Sequence, residues 1–412
     1  MTRRTACAWA AAVILLLAAG CALAPPKAGA PASRPGSPAP QPQPVWFQSL
    51  QMTSATYGWA LVWSANPAVI AGNAHILLAR TTDGARTWSD VTPAAARPML
   101  ATLNSYEALD PVDGDHAYLA VSRATSDDDL ATATAVFATA NGGRTWTASA
   151  VFQTSAQAAR LSFADASHGW LLLGPVFGGP GQPVTWLYRT SDGGLRWSPA
   201  ATVAPPGNYG SNSMCQPLNL TMLTAATGWV LIGCRGQPEF LVSQDGGGSW
   251  AAQPLPLPAG TLGSPGGPAF LTGPQFAGGT GFLTVAPEPP GTPSLLDSQD
   301  RGRTWQLLTL PTGAGQYPQV KFFTPADGVL VTAGIESALG AVFYLTADGG
   351  QSWTPVPQGT HFTQYGEAID FASQQAGFAW NSGGNTVAAP PLYATANSGR
   401  TWHPFIPHLV TG

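Results

Sequence analysis

The chain has 412 residues and a net charge of −4, and only 9% of its residues are charged, against roughly 25% in an average soluble domain. A single lysine, Lys321, lies beyond the first 44 residues. No basic stripe is available for counterion release, which excludes nucleic-acid binding.

The first 24 residues read as a targeting segment. Arg3 and Arg4 give it a positive start, and Ala8–Ala19 an apolar core too short for a membrane span. That core ends in Leu17-Ala18-Ala19-Gly20-Cys21, which resembles the lipobox of bacterial lipoproteins. The resemblance implies lipidation of Cys21 as the mature N-terminus, although Ala18 stands where leucine is commoner. The alternative is cleavage after Ala24 and release as a secreted protein. Residues 25–44 carry eight prolines among Ala, Ser, Gln and Gly. Such a stretch buries no core, and an extended, partly polyproline II spacer of up to ~60 Å follows at ~3.1 Å per residue. The anchored form would lie on the outer face of the bacterial cytoplasmic membrane, held off it by this spacer.

Residues 45–412 are organised by an octapeptide that recurs seven times. The copies are Thr81–Trp88, Thr139–Trp146, Thr190–Trp197, Ser243–Trp250, Ser298–Trp305, Thr346–Trp353 and Thr395–Trp402, and their closing tryptophans are 48–58 residues apart. A period near fifty marks a repeat architecture, with room in each repeat for four short strands. A second marker precedes each closing tryptophan by 21–29 residues, counted from its second residue. It is a Gly-aromatic step at Gly58-Trp59, Gly169-Trp170, Gly228-Trp229, Gly281-Phe282 and Gly377-Phe378, degenerate as Ala117-Tyr118 and Gly328-Val329. The third repeat gives the strand plan: 160–163, a turn at 164–168, then 169–174, 184–190 and, after the octapeptide, 196–200. The second and third strands are near-continuous apolar runs, as expected when both faces of a sheet are covered.

In the octapeptide an Asp or Asn accepts turn amides, glycines supply positive φ, a Ser or Thr hydroxyl completes the contacts, and the tryptophan covers the hairpin. These octapeptides resemble Asp-box, or bacterial neuraminidase, repeats. The resemblance covers essentially all of 45–412 and implies an all-β fold: a seven-bladed β-propeller of four-stranded antiparallel blades. The box residues Asp83, Asn141, Asp192, Asp245, Asp300, Asp348 and Asn397 read as structural, since a catalytic or metal-binding carboxylate would not be exchanged for Asn twice. Cys215 and Cys234 fall on either side of a turn near 225–227 and are expected to face one another as a disulfide; the alternative is two buried thiols.

Antiparallel four-stranded blades put the first and third turns on one face of the disc and the longer, irregular connections on the other, where function concentrates. Residues entering the inner strand from that second face would ring the mouth of the central channel. They are Tyr106, Glu107, Arg160, Tyr209, Tyr317, Lys321, Tyr365 and Glu367, a set suited to recognition. The alternative is that the tyrosines plug the channel and the charges are solvated.

No metal site or cofactor is expected. Asp127–Asp129 and Asp110, Asp113 and Asp115 lack the calcium-loop spacing, the six histidines lack a zinc pattern, and no G-x-S-x-G, P-loop or Rossmann fingerprint is present. Sialidases share the repeat, but their Arg-Ile-Pro signature is missing. An arginine triad from Arg123, Arg160 and Arg235 has no motif behind it, and five glutamates provide no recognisable acid–base pair. The run from Phe163-Ala164-Asp165 to Gly169-Trp170 and on to the octapeptide looks like the photosystem II assembly factor type of propeller, which binds a partner rather than catalysing. The arginine cluster of that family has no equivalent here. The sequence therefore favours a monomeric, tethered binding propeller with a protein partner. A glycan ligand or a sialidase-like hydrolase is the alternative.

Overall fold

The computed structural model describes residues 43–410 apart from 66–74, 102–104, 125–131, 150–151, 155, 176–184, 204–215, 235–236, 259–260, 262–269, 287–292, 312–317, 334–340, 358–366 and 382–390. Cys21, Cys215, Tyr209, Tyr317, Tyr365 and Asp127–Asp129 lie outside the described residues, and Cys234 and Glu367 are described in backbone only. Among the described residues, no helix is long and apolar enough to cross a membrane.

Seven sheets form a seven-bladed β-propeller of four-stranded antiparallel blades running in chain order from the inner to the outer edge. The first sheet gains two strands at ring closure, and in the second two short strands, Thr147–Ala148 and Phe152–Thr154, share the edge of Thr132–Thr139. The third blade shows the pattern: Ala156–Phe163, Gly169–Pro175, Thr185–Thr190 and Ser198–Val203. Its inner strand starts four residues before the sequence plan. Chain entering the blade keeps pairing with the second strand beyond a bulge between Ala158 and Arg160. The second strand is buried from Trp170 to Leu173, as its apolar run requires.

Ring closure, which the sequence left open, uses both ends of the described chain. Trp46–Met52 is the inner strand of the first blade. His408–Val410 pairs in parallel with that blade's outer strand, Thr87–Asp90, and Gln43–Pro44 pairs with the far side of His408–Val410. Strand pairing therefore begins two residues inside the stretch read as linker. Leu409 is 3% exposed and packs in one cluster with Trp88 of the first blade and Trp380 of the last. The strap thus adds apolar burial at the seam.

The octapeptides do what their residue types suggest. In all seven, the first hydroxyl donates to Oδ1 of the Asp or Asn at 2.8–3.1 Å. That Oδ1 also accepts the amide of the seventh residue at 2.9–3.0 Å. In four of the five Asp boxes a Ser or Thr hydroxyl at position seven donates to Oδ2, as from Ser249 and Thr304; in the third box Arg196 stands there. Where the box residue is Asn, the direction reverses and Nδ2 donates to Thr145 or Thr401. A hydroxyl both donates and accepts, so the turn survives the exchange. The amide of the fourth residue bonds a carbonyl in the first turn of the same blade at 2.7–3.2 Å in every repeat. The two turns clamp each other on one face of the disc.

The Gly-aromatic step is explained by close approach. A Cβ at Gly169, Gly228 or Gly377 would lie 2.0–2.6 Å from the side chain of Phe163, Met222 or Phe371, the cross-strand partner at the end of the inner strand. Ala117 departs from glycine where that partner is Pro111, too short to cover it. The aromatic member then rivets one blade to the next: Trp59 Nε1 donates to Asp113 O, Tyr118 Oη to Ala166 O and Trp170 Nε1 to Gly246 O at 2.8–3.0 Å.

Two predictions follow from the seam and the turns. Truncating Leu409 to Ala should cost about 2–4 kcal/mol, the usual range for a buried leucine, and lower the melting temperature with residues 43–44 still present. Hydroxyl and amide donors of Ser249, Thr304 and Ser352 hold Asp245, Asp300 and Asp348 at about 2. Their contribution is complete above the ordinary carboxylate value of 3.8 and is lost as pH falls toward 2. Replacing all three by Asn should flatten the fall in melting temperature across that interval; an unchanged acid limb would contradict the assignment.

Candidate functional site

The inner strand of each blade has an open edge, and its outward amides need partners other than a neighbouring strand. A side chain that bonds the neighbouring blade sits one residue before the end-of-strand residue that faces the Gly step, and in four of the seven blades it accepts an amide there. Around the ring these are Gln51, Asp110, Ser162, Thr221, Gln275, Lys321 and Asp370. Each bonds the following blade. Asp110, Ser162, Gln275 and Asp370 accept the amides of Phe163, Met222, Phe322 and Met52 at 2.7, 3.0, 3.3 and 2.8 Å. Gln51 and Thr221 donate to the carbonyls of Leu109 and Pro274. Lys321 Nζ donates to Asp370 Oδ1 at 2.5 Å. All seven junctions, including the seam, carry such a bond.

Inside this belt two cavities open between the inner strands. The larger, about 610 Å³, lies among blades three to six and is bordered by Arg160, Asn219, Gly273–Pro274, Thr284 and Lys321. The smaller, about 370 Å³, is bordered by Gln51, Val112, Asp370 and again Lys321. Beside the larger, the inner strand of blade five, Phe270–Ala277, bulges between Thr272 and Gln275, as the inner strands of blades one, three and four also bulge, but here around a Gly-Pro pair. Gly273 there has φ 107°, and a Cβ would meet Phe282 O at 2.9 Å, so glycine is required.

The chemistry of the larger cavity's wall is one-sided. Its backbone acceptors are already engaged: Leu218 O by Arg160 Nε at 2.6 Å, Gly273 O by Asn219 Nδ2 at 2.7 Å, Pro274 O by Thr221 and Val320 O by Gln275 Nε2 at 2.8 Å. Among the described residues, the charged ones in the lining are Arg160 and Lys321, the latter paired with Asp370, and no carboxylate lines it. Desolvation by the surrounding strands lowers the pKa of Arg160. Thr284 Oγ1 is buried without a hydrogen-bond partner, in a residue 2% exposed.

The sequence-derived residues divide accordingly. Arg160 and Lys321 share this cavity. Lys321 belongs near the end of its inner strand, Gln319–Phe322, rather than at the entry; that strand is four residues long, so Lys321 reaches the belt. Tyr106 and Glu107 open the inner strand of blade two, Tyr106 36% exposed and Glu107 within 3.5 Å of Gln48 Nε2. Burial pushes the Glu107 carboxyl up. Neither borders the two cavities. Glu367 begins the inner strand of blade seven. Asn219, Gln275, Thr284 and Asp370 were missed. A sequence signal existed for the belt: a polar residue stands seven positions before each Gly-aromatic step, six in blade five. Among the described residues, no group of three or more His, Cys, Asp or Glu could hold a metal ion.

No protein-family model and no curated protein matches the chain. Solved structures share its fold. A prolyl endopeptidase aligns over 89% of this chain and 50% of its own, at 9% identity and a TM-score of 0.54. YCF48 from Cyanidioschyzon merolae aligns over 73% of this chain and 85% of its own, at 18% identity and a TM-score of 0.46. YCF48 bound to D1 peptide aligns over 73% and 82%, at 15% identity and a TM-score of 0.45. At these identities the likeness is one of fold.

Asp110 gives the belt a pH signature. Burial raises its carboxyl to about 6, against the pull of the Phe163 amide. The folded state therefore binds more protons than the unfolded chain between the ordinary carboxylate value and about 6, and ionisation costs stability as pH rises through that interval. Asp110→Asn keeps an oxygen for the Phe163 amide and carries no charge. Melting curves from pH 4 to 7 should show the variant gaining on the native protein as pH rises; parallel profiles would refute this.

Proposed function

We propose that this protein is an exported binding propeller, tethered to the membrane through a lipidated Cys21, that recognises a protein partner at the channel and catalyses no reaction. The observation that carries the reading is the chemistry of the larger cavity. It offers cations, amides and a hydroxyl between the apolar side chains of Leu218, Leu271 and Val320, with no carboxylate among the described residues of its lining. Glycoside hydrolysis of the usual kind needs two carboxyl groups facing one bond. On the described inner strands, Asp110 and Asp370 are instead bound to backbone amides of the next blade.

Alternating apolar and donor groups suit an extended polypeptide segment, whose side chains and carbonyls alternate in the same way. A cavity of about 610 Å³ falls within the ~300–1,000 Å³ of small-ligand sites, so it would hold a few side chains of a partner and the channel face would contact the rest. The spacer at 25–44 gives such a propeller reach above the bilayer.

Photo-crosslinking in intact membranes, from a reactive residue placed at Thr272, tests the reading. One stoichiometric protein adduct in the membrane fraction is expected, and Cys21→Ser should shift the propeller to the soluble fraction. Turnover of a fluorogenic sialoside that Arg160→Ala abolishes, with no protein adduct, would replace this reading with a hydrolase.

A further inference from the structure

The wall of the larger cavity is more specific than a general contact surface requires. A buried hydroxyl with no partner costs stability, on the order of 1–3 kcal/mol, and Thr284 holds one at 2% exposure in the wall of an open cavity. Valine would fill the same volume at that position without the cost. Four backbone carbonyls around the cavity are engaged by Arg160, Asn219, Thr221 and Gln275, which leaves Arg160 and the Asp370-paired Lys321 as the charged groups of the described wall. In a chain of net charge −4 with one lysine after residue 44, Arg160 and that lysine border the same space.

We infer that this cavity is a built site for an organic carboxylate, with Arg160 and Lys321 setting its charge, Thr284 donating to a carboxylate oxygen and Leu218, Leu271 and Val320 taking an apolar body. The inference rests on the cavity being the binding site proposed above and names the chemistry it selects. Hydrogen bonds between a charged acceptor and these donors are about twice as strong as neutral ones. The apolar lining distinguishes an organic carboxylate from an inorganic anion, which would leave that surface in contact with water. Asp370 holds Lys321 in place from the belt side, so the ammonium is positioned before any ligand arrives.

The carboxylate could belong to a free small molecule or to an acidic side chain of a partner, and two probes separate these sources. Calorimetric titration of the full-length protein at low salt would use benzoate for the first and the blocked peptide acetyl-Ala-Glu-Ala-amide for the second, with sulfate as the inorganic control. At least one carboxylate should bind tenfold or more tightly than sulfate, and the better probe identifies the source. Arg160→Gln should weaken it at least tenfold. Thr284→Val should weaken it severalfold while leaving the ligand-free melting temperature equal or higher, a combination that a purely structural threonine would not give. Absence of binding, sulfate equal to both carboxylates, or unaltered affinity in both variants would overturn the inference. A membrane adduct found alongside any of these results would leave the binding propeller standing without the carboxylate site.

Discussion

The unpaired inner edge of each blade is the constraint on which the ring depends. A four-stranded sheet that ends at a channel exposes main-chain donors with no strand to take them, and an unsatisfied buried amide costs roughly 1–3 kcal/mol. This protein meets the requirement from the neighbouring blade. Ser162 holds Met222, Asp110 holds Phe163, Gln275 holds Phe322, and Asp370 holds Met52 across the seam. The residue types differ because the requirement is only for a polar atom of the right reach. Closure from the seventh blade to the first therefore uses the same amide-to-side-chain bond as the junctions made by Asp110, Ser162 and Gln275, with the strap of His408–Val410 added outside it.

A second layer of fit lies where the inner strand meets the first turn. Phenylalanine or methionine at the end of the inner strand lies over a glycine opposite, and the aromatic residue after that glycine reaches the next blade. The exception is informative. Where Pro111 replaces the large side chain, Ala117 replaces the glycine, so the two positions change together within one chain. The stacked rings of Tyr118 and Phe163 at 3.3 Å, and of Phe282 and Phe322 at 3.4 Å, show the same side chains packing between blades. Mutual clamping of the two turns then fixes one face of the disc and leaves variation to the other.

Much of this was legible in the sequence because it repeats. Seven octapeptides, with five Gly-aromatic steps and two degenerate ones, give blade number, strand order and the face carrying the tight turns. The belt was harder to see. Gln51, Thr221 and Lys321 share no chemistry on the page, and what unites them is register, which emerges once each inner strand is paired with its neighbour. Arg160 was found as a charge in a charge-poor chain, but its place was displaced by the assumption that strands begin where the apolar pattern does. A bulge that lets pairing continue past Ala158 carries no such pattern. Thr284 lies in a buried run, Thr280–Ala286, indistinguishable by composition from a satisfied β-strand threonine.

The belt also bears on the division between scaffold and site. Carboxylates in sialidase-like propellers would have to face the axis to do chemistry, yet Asp110 and Asp370 are engaged by amides of the adjoining blade, and Asp370 carries Lys321 as well. Holding the ring together thus ties the described inner-strand aspartates to the adjoining blade, and leaves Arg160 and the Asp370-paired Lys321 at the larger cavity. The cavity itself appears at the one inner strand whose bulge contains Gly273 and Pro274, where the spacing to the Gly step is six rather than seven. Inner-strand bulges recur in blades one, three, four and five, and the one that carries Gly273 and Pro274 borders the space that a ligand can enter. A propeller built from near-identical parts acquires a distinct site here through what one of its recurring bulges carries, Gly273 and Pro274, whose carbonyls Asn219 and Thr221 of the neighbouring blade cap.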